Sequence, residues 1–100
     1  MRHFRRFLHL SCLALIAACA SPAPEFIGAQ ETRLTREGIR FAVFQRGNRA
    51  EAIRLDRISG TRHRDMPFLL VSVMEEATGC AVIRRSVAGD TAEIRATLRC

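Results

Sequence analysis

The chain has 100 residues, with sixteen arginines and no lysine against ten acids, a formal charge of +6, and neither Trp nor Tyr. That length allows one small domain at most, with a core near the lower bound for independent stability. Aromatic platforms on which bases could stack are scarce, which argues against nucleic acid as a partner.

The chain opens on Met1-Arg2-His3-Phe4-Arg5-Arg6 and then runs apolar from Phe7 to Ala18, broken only by His9, Ser11 and Cys12. A basic leader, a short apolar run and small residues after it are the order of a secretory signal peptide. The apolar run is about a dozen residues, whereas a permanent membrane span needs about 20. Ile16-Ala17-Ala18-Cys19 resembles a lipobox, the recognition site of bacterial lipoprotein signal peptidase. The resemblance covers only about the first 20 residues, and Ile16 stands where Leu is commonest. It implies cleavage after residue 18, lipid attached to the thiol of Cys19, and anchoring in the cell envelope. Ala20 in the next position implies the outer membrane, facing the periplasm. The competing reading is an ordinary secretory signal cut after Ala18-Cys19-Ala20, which would release a soluble periplasmic or secreted domain. Loss of the signal removes three arginines, so thirteen then face the ten acids.

Residues 19–30, with Pro22, Pro24 and Gly28, read as a lipidated tether, and the folded domain is expected over 31–100. A short strand is expected over Thr32 to Thr35, turned by Arg36-Glu37-Gly38. Ile39 to Gln45 follows as a strand with Ile39, Phe41 and Val43 on one face and Ala42 and Phe44 on the other. Arg46-Gly47-Asn48 makes a turn into a strand from Ala50 to Ile58, with Ile53 and Leu55 facing inward.

The polar stretch Ser59 to Asp65 ends in a candidate N-cap, and Pro67 falls in the first helical turn. Met66, Leu69, Leu70, Val73, Met74 and Ala77 recur at three- and four-residue spacing and predict a helix closed by Gly79. A buried strand over Phe68 to Val73 is the competing reading. Glu75 and Glu76 are read as surface acids.

Ala92, Ile94, Ala96, Leu98 and Cys100 alternate with polar residues as a half-buried strand. Its expected partner is Ala81 to Val87, joined through Ala88-Gly89-Asp90, which brings Cys80 opposite Cys100. With Cys12 discarded and Cys19 lipidated, Cys80 and Cys100 remain as an even pair for one disulfide in an oxidising compartment. The expected fold is α+β: a small antiparallel sheet of four to five strands in two hairpins, one helix packed on one face, and a polar opposite face.

No residue set has the spacing of a metal site, a phosphate loop or a nucleophile motif, so no cofactor and no metal is expected. His63 paired with Cys80 is the only nucleophilic arrangement to weigh, and the disulfide uses up that cysteine. Arg62-His63-Arg64 is a candidate anion-binding loop for phosphate or carboxylate. The expected role is that of a non-enzymatic envelope lipoprotein: a binding or structural module held on the membrane by Cys19 and meeting an envelope protein partner. The alternative is a periplasm-facing module that binds an anion or small ligand through the loop around His63.

Overall fold

The computed structural model describes residues 21–100, which form one antiparallel sheet crossed on one face by one α-helix. The first three strands make a meander: β1 (Gln30–Arg36), β2 (Ile39–Arg46) and β3 (Arg49–Arg54). Both connections are two-residue turns, Glu37-Gly38 between paired Arg36 and Ile39, and Gly47-Asn48 between paired Arg46 and Arg49. Glu37 and Gly38 take φ of 53° and 75°. Two positive-φ residues give the turn whose twist matches a hairpin, and Gly carries one of them without steric cost.

β3 ends at Arg54, short of the expected Ile58. Leu55 donates its N–H to the Arg40 carbonyl at 2.9 Å, but Arg40 donates its own N–H to the Asp56 carboxylate, also at 2.9 Å. A side chain has replaced the backbone as acceptor, and the ladder stops there.

The helix, α1 (Met66–Thr78), forms where its periodicity places it, and Gly79 caps its C-terminus by donating its N–H to the Glu75 carbonyl at 2.9 Å. Asp65 stands at the N-cap, but its side chain makes no capping bond; its backbone carbonyl accepts from Leu69 instead. Glu75 and Glu76 are not alike. Glu76 pairs with Arg36 at 2.7 Å on the surface, whereas Glu75 is half-buried and accepts the N–H of Val82 at 2.9 Å.

After the helix come β4 (Ala81–Val82), β5 (Ala88–Gly89) and β6 (Glu93–Arg99). The strand order is β1-β2-β3-β6-β4, with β5 also on β6, which makes six strands where four or five were expected. Ala81 to Val87 is a strand only to Val82, where a 3-10 turn over Arg84–Ser86 breaks it, and the extra strand is Ala88–Gly89, expected in the joining turn but paired with Arg95 and Ile94. Ser86 fills the gap with its hydroxyl, donating to the Ile83 carbonyl at 2.5 Å and accepting from Thr97 N–H at 2.8 Å. At β5, Gly89 has φ of 135°, and a Cβ there would lie 2.2 Å from the Glu93 carbonyl oxygen, so only glycine fits. The Cys80–Cys100 disulfide closes the open end of this hairpin, with Cα atoms 4.4 Å apart.

The main core lies between helix and sheet: Met66, Leu70, Val71, Val73 and Met74 against Ile39, Phe41, Val43, Ile94 and Leu98. Ala50, Ala52 and Ala96 sit in the same layer and are fully buried, leaving room for the larger helix residues to settle on the central strands. Ile53 and Leu55 are on the opposite side, contrary to the inward placement expected for them.

That opposite face is not simply polar. Phe26, Ala42 and Phe44 are buried there in a second apolar cluster, with Ala23, Ala29, Ile53 and Leu55 packed against it. Phe26 comes from a 3-10 turn over Pro24–Phe26, so much of the expected tether belongs to the fold. The reason is local and polar as well as apolar. Ala23 donates its N–H to Glu51 at 2.8 Å, Arg49 pairs with Glu25 at 3.0 Å, and the Arg46 guanidinium bonds the carbonyls of Glu25 and Ile27. Residues 23–29 are a strap pinned across the sheet.

Candidate functional site

Cys19 and the rest of the signal lie outside the described residues. Of the other candidate residues, Cys80 and Cys100 are joined to each other, so no thiol of that pair remains for chemistry with His63. The His63 ring turns to Thr91, with Nδ1 3.1 Å from its Oγ1. Arg62 turns the other way and donates from Nη2 to the Glu37 carbonyl at 3.4 Å. Arg64 is exposed. Two consecutive side chains of the basic triplet therefore turn to different partners, one in the β1–β2 turn and one in the loop that leads into the last strand, and do not converge on each other.

Arg62 instead borders a cleft of about 440 Å³ between the β1–β2 turn and the first turn of α1. Ile39, Met66 and Leu69 supply apolar lining, Glu37 and Asp65 supply acids, and Phe68 stands at the rim. Phe68 is 69% exposed, although it lies in a helix otherwise well covered on its apolar side. An exposed ring beside a lightly held guanidinium and an apolar floor suits a ligand with an apolar body and an anionic group. The sequence marks Arg62 as a candidate but gives no sign that Phe68 is exposed, since Phe68 stands within a continuous apolar run.

A second cluster lay hidden in the polar positions of β3 and β6. Glu51 is 2% exposed and faces Arg95 across the strand pair; Glu93 faces Ile53 next along it. Burial first, and the neighbouring Glu51 carboxyl second, push Glu93 up to about 7 against the pull of Arg95. Arg95 Nε and Glu93 Oε2 are 3.5 Å apart, yet neither atom has a hydrogen-bond partner, so the pair is an ionic contact without directed bonds. Glu51 stands between Ala50 and Ala52 in the alternation, and the small neighbours gave no sign that the strand was covered on both faces. Among the described residues, no group of three His, Cys, Asp or Glu side chains is placed to hold a metal ion. Comparison with family models, curated proteins and solved structures finds no match to this chain.

The raised Glu93 carries a defined pH effect. Its folded form binds the proton more tightly than the unfolded chain, so stability is lost as pH rises from about 4.5 through about 7. Glu93→Gln is expected to stabilise the protein by about 1 kcal/mol at pH 8 and by almost nothing at pH 5. Asp90 titrates in the opposite sense, held low by the N–H groups of Ala92 and Glu93, and its effect falls below that window. Urea unfolding of both proteins at the two pH values measures the difference; an equal gain at each would contradict the assignment.

Proposed function

We propose that this protein is a lipid-anchored, non-enzymatic binding module of the bacterial cell envelope, held by Cys19 and presenting the cleft beside Phe68 to its partner. The Cys80–Cys100 bond carries the reading, because a closed structural disulfide in so small a domain suits an exported protein in an oxidising compartment. Lipobox residues Ile16 to Cys19 supply the address. No helix among the described residues is long and apolar enough to cross a membrane. Two or three acyl chains, at about 0.8 kcal/mol per buried methylene, hold a protein of this size stably.

Binding is favoured over catalysis by positive features of the geometry: Cys80 is spent in the bridge, His63 is turned to Thr91, and the open apolar surface gathers at Phe68. The cleft also supports the small-ligand reading, with Arg62 rather than His63 as its cation. In whole envelopes, the wild-type chain is expected to pellet with membranes and Cys19→Ser to appear in the soluble fraction. A photo-crosslinking residue in place of Phe68 is expected to capture an envelope component, while one in place of Arg57 on the exposed loop after β3 does not. Membrane association of Cys19→Ser, or equal capture from both positions, would sink the reading.

A further inference from the structure

The strap fixes how the domain sits relative to the bilayer. Ala23 is held by Glu51, a residue of β3, which is the middle strand of the order β1-β2-β3-β6-β4. Only residues 20–22 separate that pinned position from Cys19, and four residue steps span at most about 14 Å. A lipid on Cys19 therefore enters the membrane within about 14 Å of the centre of the sheet face that bears the strap.

The helix face is out of reach of that anchor. The far side of α1 stands about 15 Å beyond the sheet on the opposite side. A chain leaving Ala23 would first have to pass two strands, about 10 Å, to round a sheet edge. The route is roughly 25 Å, well beyond the available backbone.

We infer that the strap-bearing face of the sheet is the membrane-proximal surface, resting on the bilayer that carries the lipid, with Ile27 as its apolar contact and the Phe68 cleft turned away from the lipid. Ile27 lies in the strap, and its side chain is 67% exposed although its neighbour Phe26 is fully buried. An aliphatic side chain held outward next to a lipidated residue suits the boundary between headgroups and acyl chains. The Arg46 bonds to the carbonyls on either side of Phe26 make the strap a fixed part of the domain rather than a swinging tether. The inference rests on lipidation at Cys19.

The chain contains no Trp or Tyr, so a single introduced Trp is a clean probe. Ile27→Trp and Phe68→Trp, each in the lipidated full-length protein, are placed in vesicles containing brominated phosphatidylcholine. Both positions are exposed, so unfolding midpoints matching the wild type are expected and are measured alongside. The brominated lipid is expected to quench Trp at position 27 by about half or more and Trp at position 68 by less than about a tenth, because bromine quenches only at close range. Protein that floats with the vesicles but shows equal, reversed or absent quenching would overturn the orientation while leaving lipidation standing. Protein that fails to float would remove lipidation, and the orientation with it.

Discussion

Replacing Cys80 and Cys100 together with serine is expected to destabilise the domain by about 3 kcal/mol. The bridge closes a loop with a sequence separation of 20 residues. Constraint of the unfolded chain by a loop of that size accounts for the figure. In a domain this small, 3 kcal/mol corresponds to a drop in Tm of about 15 °C. The location makes the bridge harder to replace. β4 supplies only two ladder positions, Ala81 opposite Arg99 and Val82 opposite Leu98, and the strand then breaks into the turn built around Ser86. Without the bridge, the exit from α1 is tied to β6 by those two positions and the Ile83 N–H to the Thr97 carbonyl, with the bond from Val82 to Glu75 beside them, and the end of β6 keeps the Leu98 N–H to the Asn48 carbonyl. Hydrogen exchange is therefore expected to rise first over residues 79–83 and 97–100. A double-serine variant melting within about 2 °C of the wild type would show that the bridge contributes little.

Phe26→Ala is expected to cost about 3 to 4 kcal/mol, the range for deleting a fully buried ring. Phe26 is the large side chain that the strap places against Ala42 and Phe44, with only the small Ala23 and Ala29 beside it. Its loss also loosens the Ala23 bond to Glu51 and opens a buried carboxylate to water. Ile27→Ala, one residue away and largely exposed, is expected to change stability by less than about 0.5 kcal/mol. Chemical denaturation of the two variants separates a strap from a linker: in a linker both changes would be silent. Limited proteolysis adds a second readout, since Phe26→Ala is expected to expose cleavage between residues 23 and 29 while the wild type resists.

The contrast between those neighbours shows what the residue pattern could and could not reveal. Pro22, Pro24 and Gly28 have the composition of a tether, and a lone Phe in such a stretch has no periodic partner to mark it as buried. Its partners are Ala42 and Phe44, more than fifteen residues away, and its polar anchors are Arg46 at the end of the same strand and Arg49 and Glu51 on the next. A similar distance problem misplaced Ile53 and Leu55. Reading β3 alone, the larger apolar residues look inward and the alanines look neutral. The register with β2 and β6 decides otherwise, since Ala52 faces the same layer as Val43 and Ile94. A shift of one residue would have exchanged the two faces.

Within a few residues of one another, the chain carries the instructions for the helix with Pro67 and Gly79 at its ends, the Glu37-Gly38 turn and the alternation of β6. Each is a local contest among φ angles, hydrogen-bond donors and apolar periodicity, and each is settled inside one element. The tertiary structure alone decided the partner of β3, the break at Ser86, the two-sided burial of the sheet and the strap that covers its second face. Those depend on which backbone groups and side chains from distant segments satisfy one another, and no window along the chain contains both halves of such a bond.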